Sequence, residues 1–348
     1  MTKQMKDMPN SLIEIEKGKI IETISSLNEF TSEDGNIFIK KWLITKEDDT
    51  EPVQKEENKY ISIIKKDSFL YSGTLNDKFQ RDGYGLEIFS NGDKYLGQFA
   101  SDLRAENGIY YFSPVKNSEQ GNSENVHTEC YLGQWNRNLK NRNGIYIWMD
   151  QPVNNYEYEN ANFDSFVGEF EEEKYLRGTY MSKSSDDRYY IYHGNFSKDG
   201  KKNDNNAYSY YSKTNKIFHG QIQNDALKSG FMGTFDDESE TITEIVYCKF
   251  NENGSVNDVL EEKQLNEEDI EEEKKNMVNF RSVIFDVDYF GKIYNKFIKI
   301  KIKIDRLEDM IGILETEENI SEVDKILNKY TKKNIYFDIE EHFFGREI

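Results

Sequence analysis

Cysteine is nearly missing from this chain: Cys130 and Cys248 are the only two in 348 residues, so no disulfide framework organises the fold. Uninterrupted apolar spans of 18 or more residues are missing too, and no stretch resembles a signal or transit peptide. Those absences predict a cytoplasmic protein. Positive charge is in deficit, with 45 Lys and Arg against 65 Asp and Glu and a formal net charge of -20. A nucleic-acid backbone is therefore excluded as the main partner, and an anionic lipid surface requires a local basic patch. What the chain has in excess is aromatics, 22 Phe, 23 Tyr and 3 Trp, far too many for a disordered chain. The length fits two or three domains.

Those aromatics are not scattered. The pentapeptides YSGTL (71–75), YLGQF (95–99), YLGQW (131–135), FVGEF (166–170), YHGNF (192–196) and FHGQI (218–222) share one pattern: aromatic, any residue, glycine, polar, bulky apolar. Their spacing gives a period near 25 residues, lengthened twice by insertions rich in Asn, Ser and Glu. VYCKF (246–250) fits a seventh, degenerate unit with Cys248 in the glycine position.

In a strand, positions 1, 3 and 5 share one face and positions 2 and 4 the other. One face thus carries Tyr71, Tyr95, Phe99, Tyr131, Trp135, Phe166, Phe170, Tyr192, Phe196 and Phe218 with the glycines Gly73, Gly97, Gly133, Gly168, Gly194 and Gly220, and position 4 is polar in all six units. This predicts an antiparallel sheet with one apolar and one wet face. Glycine between two bulky neighbours leaves a slot where a ring from an adjacent strand can lie flat on the backbone. About ten residues after each glycine comes a second apolar stretch: GYGLEIF (83–89), NGIYYF (107–112), NGIYIW (143–148), RGTYM (177–181), NAYSYY (206–211) and SGFMG (229–233). Each unit is strand, turn, strand, and Asn91-Gly92 marks one hairpin. Stacked edge to edge at roughly 4.8 Å per strand, seven units extend about 65 to 70 Å.

The stretch GYGLEIFSNGDKYLGQF (83–99) resembles the MORN repeat, and the resemblance covers about residues 69–254. Only the first unit keeps two alternating glycines in its second half, Gly83 and Gly85. The resemblance implies a mainly β fold, an elongated open antiparallel sheet of stacked hairpins. It also implies a non-catalytic scaffold that links protein partners in a cytoskeletal or ciliary assembly, with an accessory segment of an enzyme complex as the alternative. The aromatic face is the expected docking surface, unless the chain's own flanks cover it.

The flanks divide the chain into 1–68, 69–254 and 255–348. In the first, the acidic linker TKEDDTEPVQKEEN (45–58) separates two expected capping strands, NIFIKKWLI (36–44) and KYISII (59–64), after a disordered start of ten or so residues. In the last, residues 258–275 hold nine acidic side chains in an expected solvated helix, followed by strands RSVIFDVDYF (281–290) and KFIKIKIKI (296–304) and helices over 305–316 and 320–331. Together these predict a small α+β cap or docking module. Lys292, Lys296, Lys299, Lys301 and Lys303 form an acid-free basic face. It reads first as a solvated strand face, and otherwise as a contact for an acidic tail or a phosphoinositide headgroup, which would make the chain a membrane-tethering adaptor. Pairing with the acidic helix competes with both.

Signals for chemistry are thin. His193 and His219 share position 2 of consecutive units but lack the Cys or paired carboxylates that would complete a metal site. DVDYFG (286–291) begins like a calcium loop, yet its twelfth position is Phe297 where glutamate is required. Cys248 reads as a small buried residue. No glycine-rich phosphate loop or cofactor signature follows the array, so the expectation is no enzyme, no cofactor and no metal. A homodimer is compatible with these features.

Overall fold

The computed structural model describes residues 23–31, 38–45, 59–66 and 68–284, apart from 77, 79, 117–125, 150–161, 185–187, 253, 255–258 and 264–265. Among the described residues it holds seventeen strands and one α-helix. Three strands precede the array: β1 (Thr23–Thr31), β2 (Phe38–Thr45) and β3 (Lys59–Lys66). The array follows as hairpins β4 (Phe69–Leu75) with β5 (Arg81–Phe89), β6 (Lys94–Ala100) with β7 (Leu103–Lys116), and β8 (Val126–Asn136) with β9 (Leu139–Met149). It continues as β10 (Phe163–Glu171) with β11 (Lys174–Lys183), β12 (Tyr189–Asn195) with β13 (Asp204–Tyr211), and β14 (Lys216–Gln223) with β15 (Ala226–Asp236). Strands β16 (Thr241–Phe250) and β17 (Val259–Lys263) end the sheet, and the helix α1 runs Glu267–Ile284.

Every strand pairs antiparallel with its neighbours in sequence, from β1–β2 through β16–β17, which makes one open meander. The period-two pattern dictates the register: Gly73, Gly85, Gly97, Gly108, Gly133, Gly144, Gly168, Gly178 and Gly194 stand opposite one another in a single row across nine strands. Beyond it, Gly230 faces Cys248, so that cysteine does occupy the glycine position of a worn unit. It is buried.

Four of the within-unit turns do not use glycine. Ser101-Asp102, Arg137-Asn138, Glu172-Glu173 and Asn224-Asp225 all place both residues at positive φ, the arrangement of a type I′ hairpin turn. Their stability comes from the neighbouring unit: the second turn residue donates its N–H to a carbonyl one hairpin back, Asp102 to Arg81, Asn138 to Arg104, Glu173 to Lys140 and Asp225 to Lys202. Past the turn of each of the first three units the ladder bulges. The bulged position holds Gly83 (φ +82°), Glu106 (φ +50°) and Arg142 (φ +53°) in successive units.

The flanks depart from expectation in two places. A third strand, β1, joins the two expected before the array. The acidic segment expected to be one helix over 258–275 begins instead as strand β17, and α1 then continues to Ile284, so the start of the expected strand 281–290 is helical. The reason is spacing: Glu273, Met277 and Phe280 fall three and four residues apart, all within 7% exposure, and lie on the sheet. The rest of the expected C-terminal module, including 286–304 with Phe297 and the lysine face Lys292, Lys296, Lys299, Lys301 and Lys303, lies outside the described residues, as does the N-terminal start.

Candidate functional site: an aromatic ladder and its outer row

Tyr71, Tyr95, Tyr131, Phe166, Tyr192 and Phe218 are each 0% exposed. The ring at position 1 lies back over the glycine of its own strand and over the glycine opposite. A Cβ on Gly97 would meet the Tyr95 hydroxyl at 2.5 Å, and one on Gly108 would meet the same ring at 2.3 Å. The slot is therefore filled by a ring two residues upstream on the same strand, not by one from an adjacent strand as the spacing suggested. The tyrosine hydroxyls donate to the position-4 carbonyl of their own unit: Tyr71 to Thr74 at 2.8 Å, Tyr95 to Gln98 at 2.9 Å, Tyr131 to Gln134 at 2.8 Å.

Position 5 joins the units. Phe99 stands edge-on to both Tyr71 and Tyr95, at 5.3 and 5.1 Å between centroids. Trp135 does the same to Tyr95 and Tyr131, Phe170 to Tyr131 and Phe166, and Phe196 to Phe166 and Tyr192. Edge-to-face contact is the preferred geometry of such pairs. One unbroken zigzag of rings therefore runs through five units. These residues, expected as a docking face, are instead the core of the array: Phe99, Trp135 and Phe170 are within 5% exposure, and Phe196 packs against them partly buried. Packing among themselves satisfies them without a partner.

The polar position 4 is also accounted for within the chain. Gln98 Oε1 accepts from the Asn107 N–H at 3.2 Å, and Gln134 Oε1 from that of Asn143 at 3.4 Å, each closing its bulge. The face they lie on is not uniformly wet, contrary to expectation. Leu86, Leu96, Ile109, Leu132, Ile145 and Val167 alternate with the ladder residues and are 7% exposed or less.

Sequence reading missed two sets of residues. The first is a series of cations set at the start of the second strand. Arg104 lies 4.7 Å from the Trp135 ring centroid and 4.9 Å from that of Tyr110. Arg81 covers Phe69 and Phe99, Lys140 covers Tyr146, and Lys202 covers Tyr180 and Tyr190. Each is gripped by the turn of the next unit: Asp102 Oδ1 accepts from the Arg81 N–H at 2.9 Å, Asn138 Oδ1 from that of Arg104 at 2.8 Å, Glu173 Oε1 from that of Lys140 at 2.6 Å and Asp225 Oδ1 from that of Lys202 at 2.9 Å. In the fourth unit a ring substitutes: Tyr175 packs on Phe166 at 4.3 Å. The signal was present in sequence as Arg81, Arg104 and Lys140, each four residues before the second glycine.

The second set is an outer row of partly exposed rings beside the ladder: Phe69, Phe89, Phe112, Trp148 and Tyr180. Carboxylates punctuate it. Tyr110 donates to Asp93 at 2.7 Å and Tyr146 to Glu129 at 2.5 Å. Burial, then these carboxylates, push both phenols well above their ordinary range, and Tyr180 up to about 12 chiefly by burial with Asp164 beside it. Glu87, buried against Arg81, is also raised by desolvation. The row presents apolar surface with acidic edges and no activated nucleophile.

The two histidines do not meet. Tyr208 stands between them in register. His193 Nδ1 is 2.9 Å from Thr179 Oγ1, and its pKa falls from 6.5 to about 4, first through burial and then through the Arg177 charge. His219 bonds Glu273 and Asn206. Among the described residues no group of three or more His, Cys, Asp or Glu is placed to hold a metal ion, and no helix is long and apolar enough to cross a membrane.

A meander of two-stranded units, five of them closed over a glycine pair and the first five stapled to one another by rings, defines an open β-repeat protein. The MORN-repeat family model matches residues 80–94 and 131–151, which is consistent with a MORN-repeat protein. No curated protein matches the chain. MORN repeats generally serve as modules of protein or membrane interaction.

Proposed function

We propose that this chain is a non-catalytic scaffold, cytoplasmic and associated with the cytoskeleton or a cilium, that holds protein partners at fixed separations along its sheet. The observation that carries this reading is the unbroken ring zigzag from Tyr71 to Phe196. An array so stapled transmits position from one end to the other, which is what a spacer requires and a loose string of domains lacks. The outer row Phe89, Phe112 and Trp148 supplies the contact surface, since its rings keep exposed area while the ladder from Tyr71 to Phe170 is within 5% exposure.

The test is affinity capture of the tagged protein from its native cell, compared with a Phe89→Ser/Trp148→Ser variant whose fold is verified by circular dichroism. Recovery of a fixed set of axonemal, basal-body or cortical proteins by the wild type alone is the expected result. Equal recovery by both proteins refutes the outer row as the contact. Recovery of nothing, with the protein free in the soluble fraction, overturns the scaffold reading.

A further inference from the structure

The outer row alternates in charge across the strands. Register sets Phe112 opposite Glu129, Glu129 opposite Trp148 and Trp148 opposite Asp164. One unit earlier, Asp93 at the entry to β6 accepts the Ser113 N–H beside Phe112 at 2.6 Å, and its carbonyl accepts the Phe89 N–H at 2.9 Å. From β5 to β10 the row thus reads Phe89, Asp93, Phe112, Glu129, Trp148, Asp164, an acid on every second strand and a ring on each strand between. All six are half-buried. Strand alternation places them on the ladder face.

The acids keep capacity for a cation. Glu129 takes the Tyr146 phenol, and Asp93 takes the Tyr110 phenol and one backbone N–H, out of about four lone-pair sites on a carboxylate. Cations of the array are engaged with other acids: Arg81 pairs with Glu87 and Asp102, and Lys140 with Glu173. The net charge of -20 adds a field that draws in a basic polypeptide and repels an anionic lipid surface.

Spacing decides the shape of the partner. At roughly 4.8 Å per strand, successive acids stand about 9.6 Å apart with a ring midway. An extended chain turns residues at odd intervals to opposite faces, and its even intervals of about 6.7 and 13 Å miss that spacing. A polyproline II chain repeats at about 9.3 Å but turns nothing towards the ring between. An α-helix returns to the same face every seven residues, an advance of about 10.5 Å, and its third and fourth residues fall halfway.

Resting on the outer row as the contact surface, we propose that the row seats a cationic amphipathic helix lying across the strands. Its Lys or Arg side chains, at seven-residue intervals, meet Asp93, Glu129 and Asp164, and the apolar side chains between them meet Phe112 and Trp148. Over three acids the helix outruns the row by about 2 Å, which a long basic side chain absorbs.

Fluorescence anisotropy with a labelled synthetic helix tests the seat, with Lys at peptide positions 2, 9 and 16, Leu at 5, 6, 12 and 13, and Ala and Gln elsewhere. It should bind the full chain at least tenfold more tightly than a permuted peptide of the same composition, and a version with Glu for Lys should not bind. The variant Asp93→Asn/Glu129→Gln/Asp164→Asn keeps acceptors for Tyr110 and Tyr146. It should weaken the matched peptide about tenfold and flatten its salt dependence. Equal affinity for matched and permuted peptides, binding of the Glu version, or a folded triple variant that binds like wild type would each overturn the proposal. No binding by any peptide, with partner capture lost in Phe89→Ser/Trp148→Ser, overturns it and leaves the outer row as the contact. Capture that survives the serine variant removes the contact reading itself.

Discussion

The Arg104 guanidinium carbon sits 4.7 Å from the centroid of Trp135, while the Arg104 backbone N–H donates to Asn138 Oδ1 at 2.8 Å. Trp135 and Asn138 both belong to the following unit, so one residue joins two hairpins through its side chain and its backbone at once. Arg104→Ala removes the side-chain half. Its cost should be about 2 kcal/mol in urea unfolding, since a partly desolvated cation over several rings is worth that much, and Arg104→Lys should recover about half. A cost within error of zero would show the cation to be surface decoration.

Glycine is obligatory under the ladder rings for reasons of space. Gly133→Ala drives a methyl into the Tyr131 hydroxyl at 2.4 Å and the Gly144 Cα at 2.6 Å, both held in place. A loss of 3 kcal/mol or more, roughly, is expected. Gly200→Ala meets nothing within 4 Å and suffers only from its φ of +78°, so about 1 kcal/mol is expected there. Comparable midpoints for the two variants would contradict the ring-over-glycine account.

Tyr131→Phe isolates the hydroxyl bonded to the Gln134 carbonyl. Phe166 and Phe218 fill the same position in other units without that bond. The loss should therefore stay near 1 kcal/mol, the net worth of an ordinary hydrogen bond. A loss as large as that of Gly133→Ala would mean the hydroxyl, not the ring, holds the unit closed.

The bulge positions offer the opposite experiment. Arg142, exposed at φ +53°, stands where the first unit has Gly83 at +82°. Arg142→Gly relieves the left-handed strain and should stabilise the protein by up to about 1 kcal/mol. Destabilisation would show that the arginine side chain makes a contact worth more than the strain.

His193 sets an acid limit on stability. Its pKa is about 4 in the fold against an ordinary 6.5, so the unfolded chain binds the proton first as pH falls. Stability is lost between roughly pH 6.5 and 4, by up to about 3 kcal/mol, and His193→Gln should flatten that arm of the curve. The same arm in wild type and variant would assign the acid sensitivity elsewhere.

Period and spacing made the hairpins, their register and the glycine row legible, because alternation of apolar residues is a strong local signal and six units repeat it. Burial was not legible. Tyr95 and Phe99 carry the same pattern whether a partner covers them or Tyr71 and Trp135 do, and only the three-dimensional twist decides. The type I′ turns went unread because Ser101-Asp102 and Glu172-Glu173 lack the Asn-Gly signature and depend on carbonyls one hairpin back. The extent of α1 was lost because Glu273, Met277 and Phe280 interrupt a segment whose overall charge suggested a fully solvated helix.

Because every described strand bonds only its neighbours in sequence, no long loop is closed to complete the described sheet, which is unusual for a mainly β protein. Folding can then start at any hairpin and advance by a strand at a time, and tension applied to the two ends would be released as a series of small extensions rather than one rupture.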